Sequence, residues 1–141
     1  MLNYESSRES CLDISRFLSE AFSKKDVSSI EALYGDGIIV WHNHTNSYEN
    51  KSENIASLEQ FFGLFSEISY QDIRFTWTEE GFIQRHVITG KLESNGAIVE
   101  IPACLVFSVR DGKIVRLDEF GDPAPLVAAL GVPAARRCSD G

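Results

Sequence analysis

Asp26–Asn43, DVSSIEALYGDGIIVWHN, joins a short helix to an apolar strand, and the fold is read outward from that junction. Asp26 suits a helix N-cap, because its carboxylate can accept from the unpaired amides of the first turn. Ile30, Leu33 and Tyr34 follow at helical spacing and give one apolar face, which Gly35 and Gly37 are placed to stop. Ile38 to Trp41 form a β-branched and aromatic run, which predicts a strand carrying His42, Asn43 and His44 at its far end. Three polar side chains at the mouth of an apolar strand predict a lined pocket rather than a solvated surface.

Upstream, Cys11, Ile14, Leu18 and Ala21, with Phe17 and Phe22 beside them, predict the buried face of a helix over about Ser6–Lys24. Downstream, a polar loop over Thr45–Lys51 leads to a helix capped by Ser52, in which Ile55, Leu58, Phe61, Phe62 and Phe65 form an aromatic stripe. From Tyr70 the period changes to two, with Ile73, Phe75 and Trp77 alternating with polar residues. Strands are then expected over Phe82–Glu93, Ala97–Val109 and Lys113–Phe120, with turns at Ser94-Asn95-Gly96 and Asp111-Gly112. Pro125–Leu130 suits a short helix. Helices first and meandering strands after read as an α+β fold. One domain over residues 1–130 is expected, with a flexible tail over 131–141.

Register decides which polar side chains face inward. A two-residue turn at Asn95-Gly96 would pair Ile88 with Ala103 and His86 with Leu105, leaving His86 and Gln84 as the polar members of an apolar face. The opposite register would bury Arg85, Thr89 and Lys91 instead, at the cost of several desolvated polar groups. A three-residue loop with a glycine bulge at Asp111-Gly112 would pair Ala103 with Glu119, leaving Glu119 alone among apolar neighbours, whereas a two-residue turn would bring Asp118 and Arg116 onto that face. The bulged form is favoured because it buries one ionisable group rather than two. The other face would carry Val106, Ile114 and Cys104, more apolar than a solvated face favours.

The totals exclude several classes. The 141 residues, 43% apolar and 11% aromatic, suffice for one well-packed core. A net charge of −8 disfavours nucleic acid and anionic membrane surfaces as partners. Cys11, Cys104 and Cys138 are odd in number and lack metal-site spacing, so they read as reduced thiols. The polar start MLNYESSRES predicts no signal peptide, no apolar run approaches the ~20 residues that span a bilayer, and a cytoplasmic location is expected. No metal or cofactor motif is present: His42 and His44 lack a nearby third ligand, and there is no phosphate loop or nucleophile elbow.

Asp26-x-x-x-Ile30-x-x-Leu33-Tyr34-x-Asp36 followed by a strand resembles the second helix and first strand of the SnoaL-like, ketosteroid-isomerase-like superfamily. That resemblance implies a nuclear-transport-factor-two-like (cystatin-like) fold: a cone-shaped, curved antiparallel sheet around N-terminal helices, enclosing an apolar cavity. It also implies a homodimer, and it sets His42 where ketosteroid isomerases carry a catalytic carboxylate. The limonene epoxide hydrolase family is similar in its last strand, as in Glu119-Phe120 shortly before Asp122. Its paired Arg and Asp fall here on His86 and Ile88, so its epoxide-opening triad is absent.

The expected activity is cofactor-free acid–base catalysis of the isomerase, cyclase or dehydratase type on a hydrophobic carbonyl compound. His42 would move the proton, with His86 and Glu119 orienting it or stabilising charge. Trp41, Asn43, Gln84, Phe61, Phe65 and Leu105 are the expected pocket residues, with Trp41 and Asn43 reaching inward only through a bulge. The alternative is a non-catalytic domain of the same fold that binds an apolar small molecule or serves as an association module. For each candidate a plainer role stays open: a loop hydrogen bond for His42, a satisfied core imidazole for His86, and a salt bridge to Arg85 or another basic residue for Glu119.

Overall fold

The structure, a computed structural model, describes residues 4–132. Among them are four helices and six strands in the order α1 (Tyr4–Ser23), α2 (Val27–Leu33), β1 (Tyr34–His42), β2 (Ser47–Glu49), α3 (Lys51–Gly63), β3 (Phe65–Trp77), β4 (Gly81–Leu92), β5 (Ile98–Arg110), β6 (Lys113–Gly121) and α4 (Ala124–Leu130). The expected tail, 131–141, lies outside the described residues beyond its first two positions, as does Cys138.

The fold is α+β. Its single curved sheet has the order β2-β1-β6-β5-β4-β3 and is mixed rather than wholly antiparallel, because β1 runs parallel to β6. The inner face packs on α1, which buries Cys11, Ile14, Leu18, Ala21 and Phe22. Phe17, expected beside them, is 47% exposed, and Ser15 lies buried on the packed face instead.

Asp26 caps α2 as expected, its carboxylate accepting from the Ser29 amide and hydroxyl. Gly35 and Gly37 do not end the helix. Tyr34 already has extended backbone (φ −84, ψ 133), and both glycines lie within β1. The cap of α3 is Asn50 rather than Ser52: the Asn50 side chain accepts from the Glu53 amide, and the Glu53 carboxylate accepts from the Asn50 amide. This reciprocal pair satisfies two donors at once and sets the helix start earlier than Ser52 would. The helix ends at Gly63, so Phe65 belongs to β3, where its ring lies over Gly90. A Cβ at Gly90 would meet that ring at 2.5 Å, which explains a glycine in the middle of a strand. Ile73 falls in a bulge of β3 and is 40% exposed, outside the expected alternation.

Both hairpin registers differ from expectation by two residues. Ile88 pairs with Ile101 and His86 with Ala103, across a loop spanning Glu93–Gly96. Only Gly96 there has a positive φ, so the two-residue type I′ turn does not form. The Asn95 amide is engaged instead, donating to the Ala129 and Val132 carbonyls and fastening the end of α4. At the next hairpin, Asp111 and Gly112 both take positive φ (52 and 73) and make a two-residue turn, contrary to the expected three-residue loop. A bulge at Val115 then restores the phase, so that Leu105 pairs with Glu119. It also turns Ile114, expected on the outer face, into the core, where it is fully buried.

Candidate functional site

Strand alternation builds the site. In β1, Ile38 and Val40 are buried while Ile39 is exposed, and His42 continues their side of the strand. His42 pairs with Glu119 of β6 in the parallel ladder, and Val40 pairs with Glu49 of β2. Residues directly opposite share a face, so three ionisable side chains gather at one end of the sheet. In β4, Phe82, Gln84, His86, Ile88, Gly90 and Leu92 are all buried, a run with period two.

These faces enclose a cavity of about 390 Å³. Phe22, Leu58, Phe61 and Tyr70 contribute to one part of its wall, and Ile88, Ile101, Leu105 and Leu117 to another. His42, His44, Glu49, His86, Glu119 and Asp122, with the phenols of Tyr34 and Tyr70, supply its ionisable groups, and Leu126 of α4 is also on the lining.

Glu49 is the hub at the His42 end. Its carboxylate accepts from Ser57 Oγ, from Asn54 Nδ2 at 3.1 Å, and lies 2.5 Å from His42 Nε2. Asn54 in turn accepts from the Tyr34 hydroxyl at 2.7 Å. Desolvation works against the Glu49 carboxylate, but the bonds from Ser57, Asn54 and His42 together hold its pKa below the ordinary value. Because Glu49 can only accept when ionised, His42 Nε2 carries a proton, and Nδ1 is left without a hydrogen-bond partner, 3.8 Å from Glu119 Oε2.

Glu119 is more open: 37% of its side chain is accessible, and it lines the cavity. Desolvation nevertheless raises its carboxyl above the ordinary range; the charges of His42 and His44 oppose that rise and Glu49 adds to it. The raised value comes from an apolar enclosure, which is how a carboxyl becomes useful for proton transfer nearer neutrality.

His86 is 3% exposed and stacks on Tyr70, ring centroids 3.8 Å apart. Burial pushes its pKa down to about 4, so it is neutral at pH 7. The plainer role for Glu119, a salt bridge to Arg85 or another basic residue, does not fall to Arg85, which is on the opposite, exposed side of β4; the Glu119 carboxylate lies 3.8 Å from His42 Nδ1 instead.

Of the expected pocket residues, Phe61 and Leu105 line the cavity. Trp41, Asn43, Gln84 and Phe65 stand outside its lining. Trp41 donates to Asn46 and packs edge-on against Phe120, away from the Val40 side of β1. Asn43 is spent on the backbone, accepting from the Gly121 amide. Gln84 is fully buried behind His86, and Phe65 covers Gly90. Glu49, Asn54, Ser57 and Tyr34 are site residues that sequence reasoning missed. The polar stretch over residues 45–51 reads as loop, and only the short β2 ladder turns Glu49 inward. Among the described residues no cluster of three His, Cys, Asp or Glu side chains is arranged to hold a metal ion. None of the described helices is long and apolar enough to cross a membrane.

A curved sheet folded over three helices, with ionisable groups around an inner cavity, defines the nuclear-transport-factor-two-like class. The SnoaL-like domain family matches residues 14–117, and the chain belongs to that family. A provisionally named isomerase from Bacillus subtilis has the same fold, with a TM-score of 0.79 at 16% identity, covering 96% of this chain and 100% of the other. A provisionally named polyketide cyclase from Xanthomonas campestris pv. campestris gives 0.78 at 20% identity, with coverage of 89% and 99%. A protein with a ketosteroid-isomerase-like fold from Catenulispora acidiphila, solved with trimethylamine, gives 0.73 at 10% identity, with coverage of 88% and 96%. At these identities the likeness is one of fold. No curated protein matches the sequence.

Proposed function

We propose that the protein is a cofactor-free acid–base catalyst acting on a hydrophobic carbonyl compound, of the isomerase, cyclase or dehydratase type. The carrying observation is that Glu119, raised by desolvation, faces the cavity beside His42, whose far nitrogen is anchored on Glu49. Glu119 has the more accessible side chain, 37% against 15% for His42. The proton is therefore taken by the carboxylate, with His42 backing it, rather than by His42 alone.

In the simplest step a C–H bond next to the carbonyl breaks and its proton passes to Glu119. The electron pair moves onto the carbonyl oxygen as an enolate, stabilised by a hydrogen-bond donor in the wall, and the proton returns to a different carbon. The apolar lining around Phe22, Phe61 and Leu105 supports ring-bearing substrates over sugars or nucleotides. The names of the Bacillus and Xanthomonas proteins support the same chemistry.

Deuterium exchange next to the carbonyl of hydrophobic ring ketones, followed by NMR in D₂O, tests this reading. Glu119→Gln should slow exchange by ~10²–10⁴-fold, the usual contribution of a positioned base, and His42→Ala should slow it as well. Unchanged exchange in both variants would leave a ligand-binding domain, which needs the cavity alone.

A further inference from the structure

Gln84 and Ser15 are buried polar side chains that stand outside the cavity lining. Gln84 is fully buried, and Ser15, on α1, is 5% exposed. The Ser15 hydroxyl donates to Gln84 Oε1 at 2.7 Å, and Gln84 Nε2 lies 2.9 Å from His86 Nδ1. With its oxygen held by Ser15, the Gln84 amide turns its N–H₂ to the imidazole. An amide nitrogen only donates, so Nδ1 must accept, and the one proton of the neutral ring sits on Nε2. That nitrogen is buried and has no hydrogen-bond partner.

We propose that the Ser15–Gln84 pair fixes His86 as a one-way hydrogen-bond donor in the cavity wall, and that the ligand this donor awaits carries a carbonyl oxygen on an apolar ring system. Ser15 and Gln84 are positioning residues: they act through His86 and touch nothing in the cavity. The burial that keeps the ring neutral preserves the arrangement at pH 7, since a protonated ring would donate from both nitrogens and clash with the Gln84 amide. The other ionisable groups around the cavity, Tyr34, His42, His44, Glu49, Glu119 and Asp122, lie on β1, β2, β6 and the loops that follow β1 and β6, whereas β3 offers His86 the ring of Tyr70. A donor left unpaired in an apolar wall is costly, and a ligand oxygen recovers that cost where a methylene does not. The ligand class rests on the carbonyl chemistry proposed above; the tautomer does not.

Two-bond ¹H–¹⁵N correlation NMR of the full chain reads the tautomer directly, with His86→Gln assigning the signal. At pH 7 the wild-type ring should show a protonated Nε2 and an acceptor Nδ1. Ser15→Ala frees the Gln84 amide to rotate and should give a mixture of tautomers. Gln84→Glu, whose carboxylate accepts, should place a proton on Nδ1. A protonated Nδ1 in the wild type, or an unaltered tautomer in Ser15→Ala, overturns the proposal even if Gln84→Glu does not fold. As probes, 2-acetylnaphthalene should bind at least ~10-fold more tightly than 2-ethylnaphthalene, and Ser15→Ala should narrow that ratio. Apolar lining alone would rank the ethyl compound first, so that ranking overturns the assigned ligand class. If the ketone binds through His86 but never exchanges its protons, the catalytic reading fails and this one stands.

Discussion

Acidification from pH 7 toward pH 4 should weaken the fold through His86, and His86→Gln should remove that part of the loss. Burial lowers the imidazole pKa from 6.5 to about 4, while in the unfolded chain it titrates near its ordinary value. Between those two values the unfolded chain holds the proton and the folded chain does not. Stability therefore rises with pH across that window, is fully present above 6.5, and is lost as pH falls toward 4. At ~1.4 kcal/mol for each pH unit between the two values, the group contributes about 3 kcal/mol. With the residue 3% exposed, little of this is screened by solvent. Urea unfolding of both proteins at several pH values is the assay. Glu20, Asp26 and Glu49, whose pKa values are lowered, also lose stabilisation in acid, but they are common to both chains and cancel in the difference. The wild type should lose about 3 kcal/mol more than His86→Gln over the window. Parallel curves would refute the claim that the ring is held neutral by burial.

Glu49→Gln should destabilise the fold by ~2–4 kcal/mol in the same assay at pH 7, because the amide can turn only one oxygen to Ser57, Asn54 and His42; a loss within ~0.5 kcal/mol would mean that the cluster is not a structural hub. Glu119→Gln should flatten the pH dependence in the opposite sense to His86→Gln: a carboxyl raised by burial stabilises while neutral, so the wild type loses stability as pH rises through the folded pKa and the variant does not. Gly90→Ala should cost ~1–3 kcal/mol by driving a methyl into the Phe65 ring, and Phe65→Leu in the same chain should recover part of it. Ile39 and Phe120, 44% and 42% exposed, lie on the outer sheet face with Val106, so sedimentation equilibrium should give about twice the 15.7 kDa chain mass; a mass near one chain would remove the expected dimer.

Much of the site was legible because strand faces repeat every two residues. The registers expected for β4–β5 and β5–β6 were each displaced by two, yet His86 and Glu119 kept their faces, since a shift of two leaves parity intact. Loop chemistry was less legible. Asn95-Gly96 carries the pattern of a tight turn, but the Asn95 side chain gains more by holding α4, a partner 34 residues away that no local pattern records. Glu49 was hidden for a similar reason: a three-residue strand has no periodicity to read, and its orientation comes from pairing with Val40. Tyr34, taken as part of the helix face, became the first residue of β1 because the chain passes from α2 into extended backbone with no glycine between.

The parallel pairing of β1 with β6 has a consequence for how the molecule comes into being. Apart from the short β2, β1 has no neighbour in the sheet until Lys113–Gly121 is available. On a ribosome, where the chain grows at ~5–20 residues per second, Glu49 can find His42 early through the β1–β2 hairpin. Glu119 cannot join them until β6 has been made. A nascent chain, or one that stops short of β6, can thus form hairpins and even the β3–β4–β5 meander while its cavity still lacks one wall and the Glu119 carboxylate. Completion of the site waits on closure of its most distant strand pair, the kind of long-range contact that slows folding.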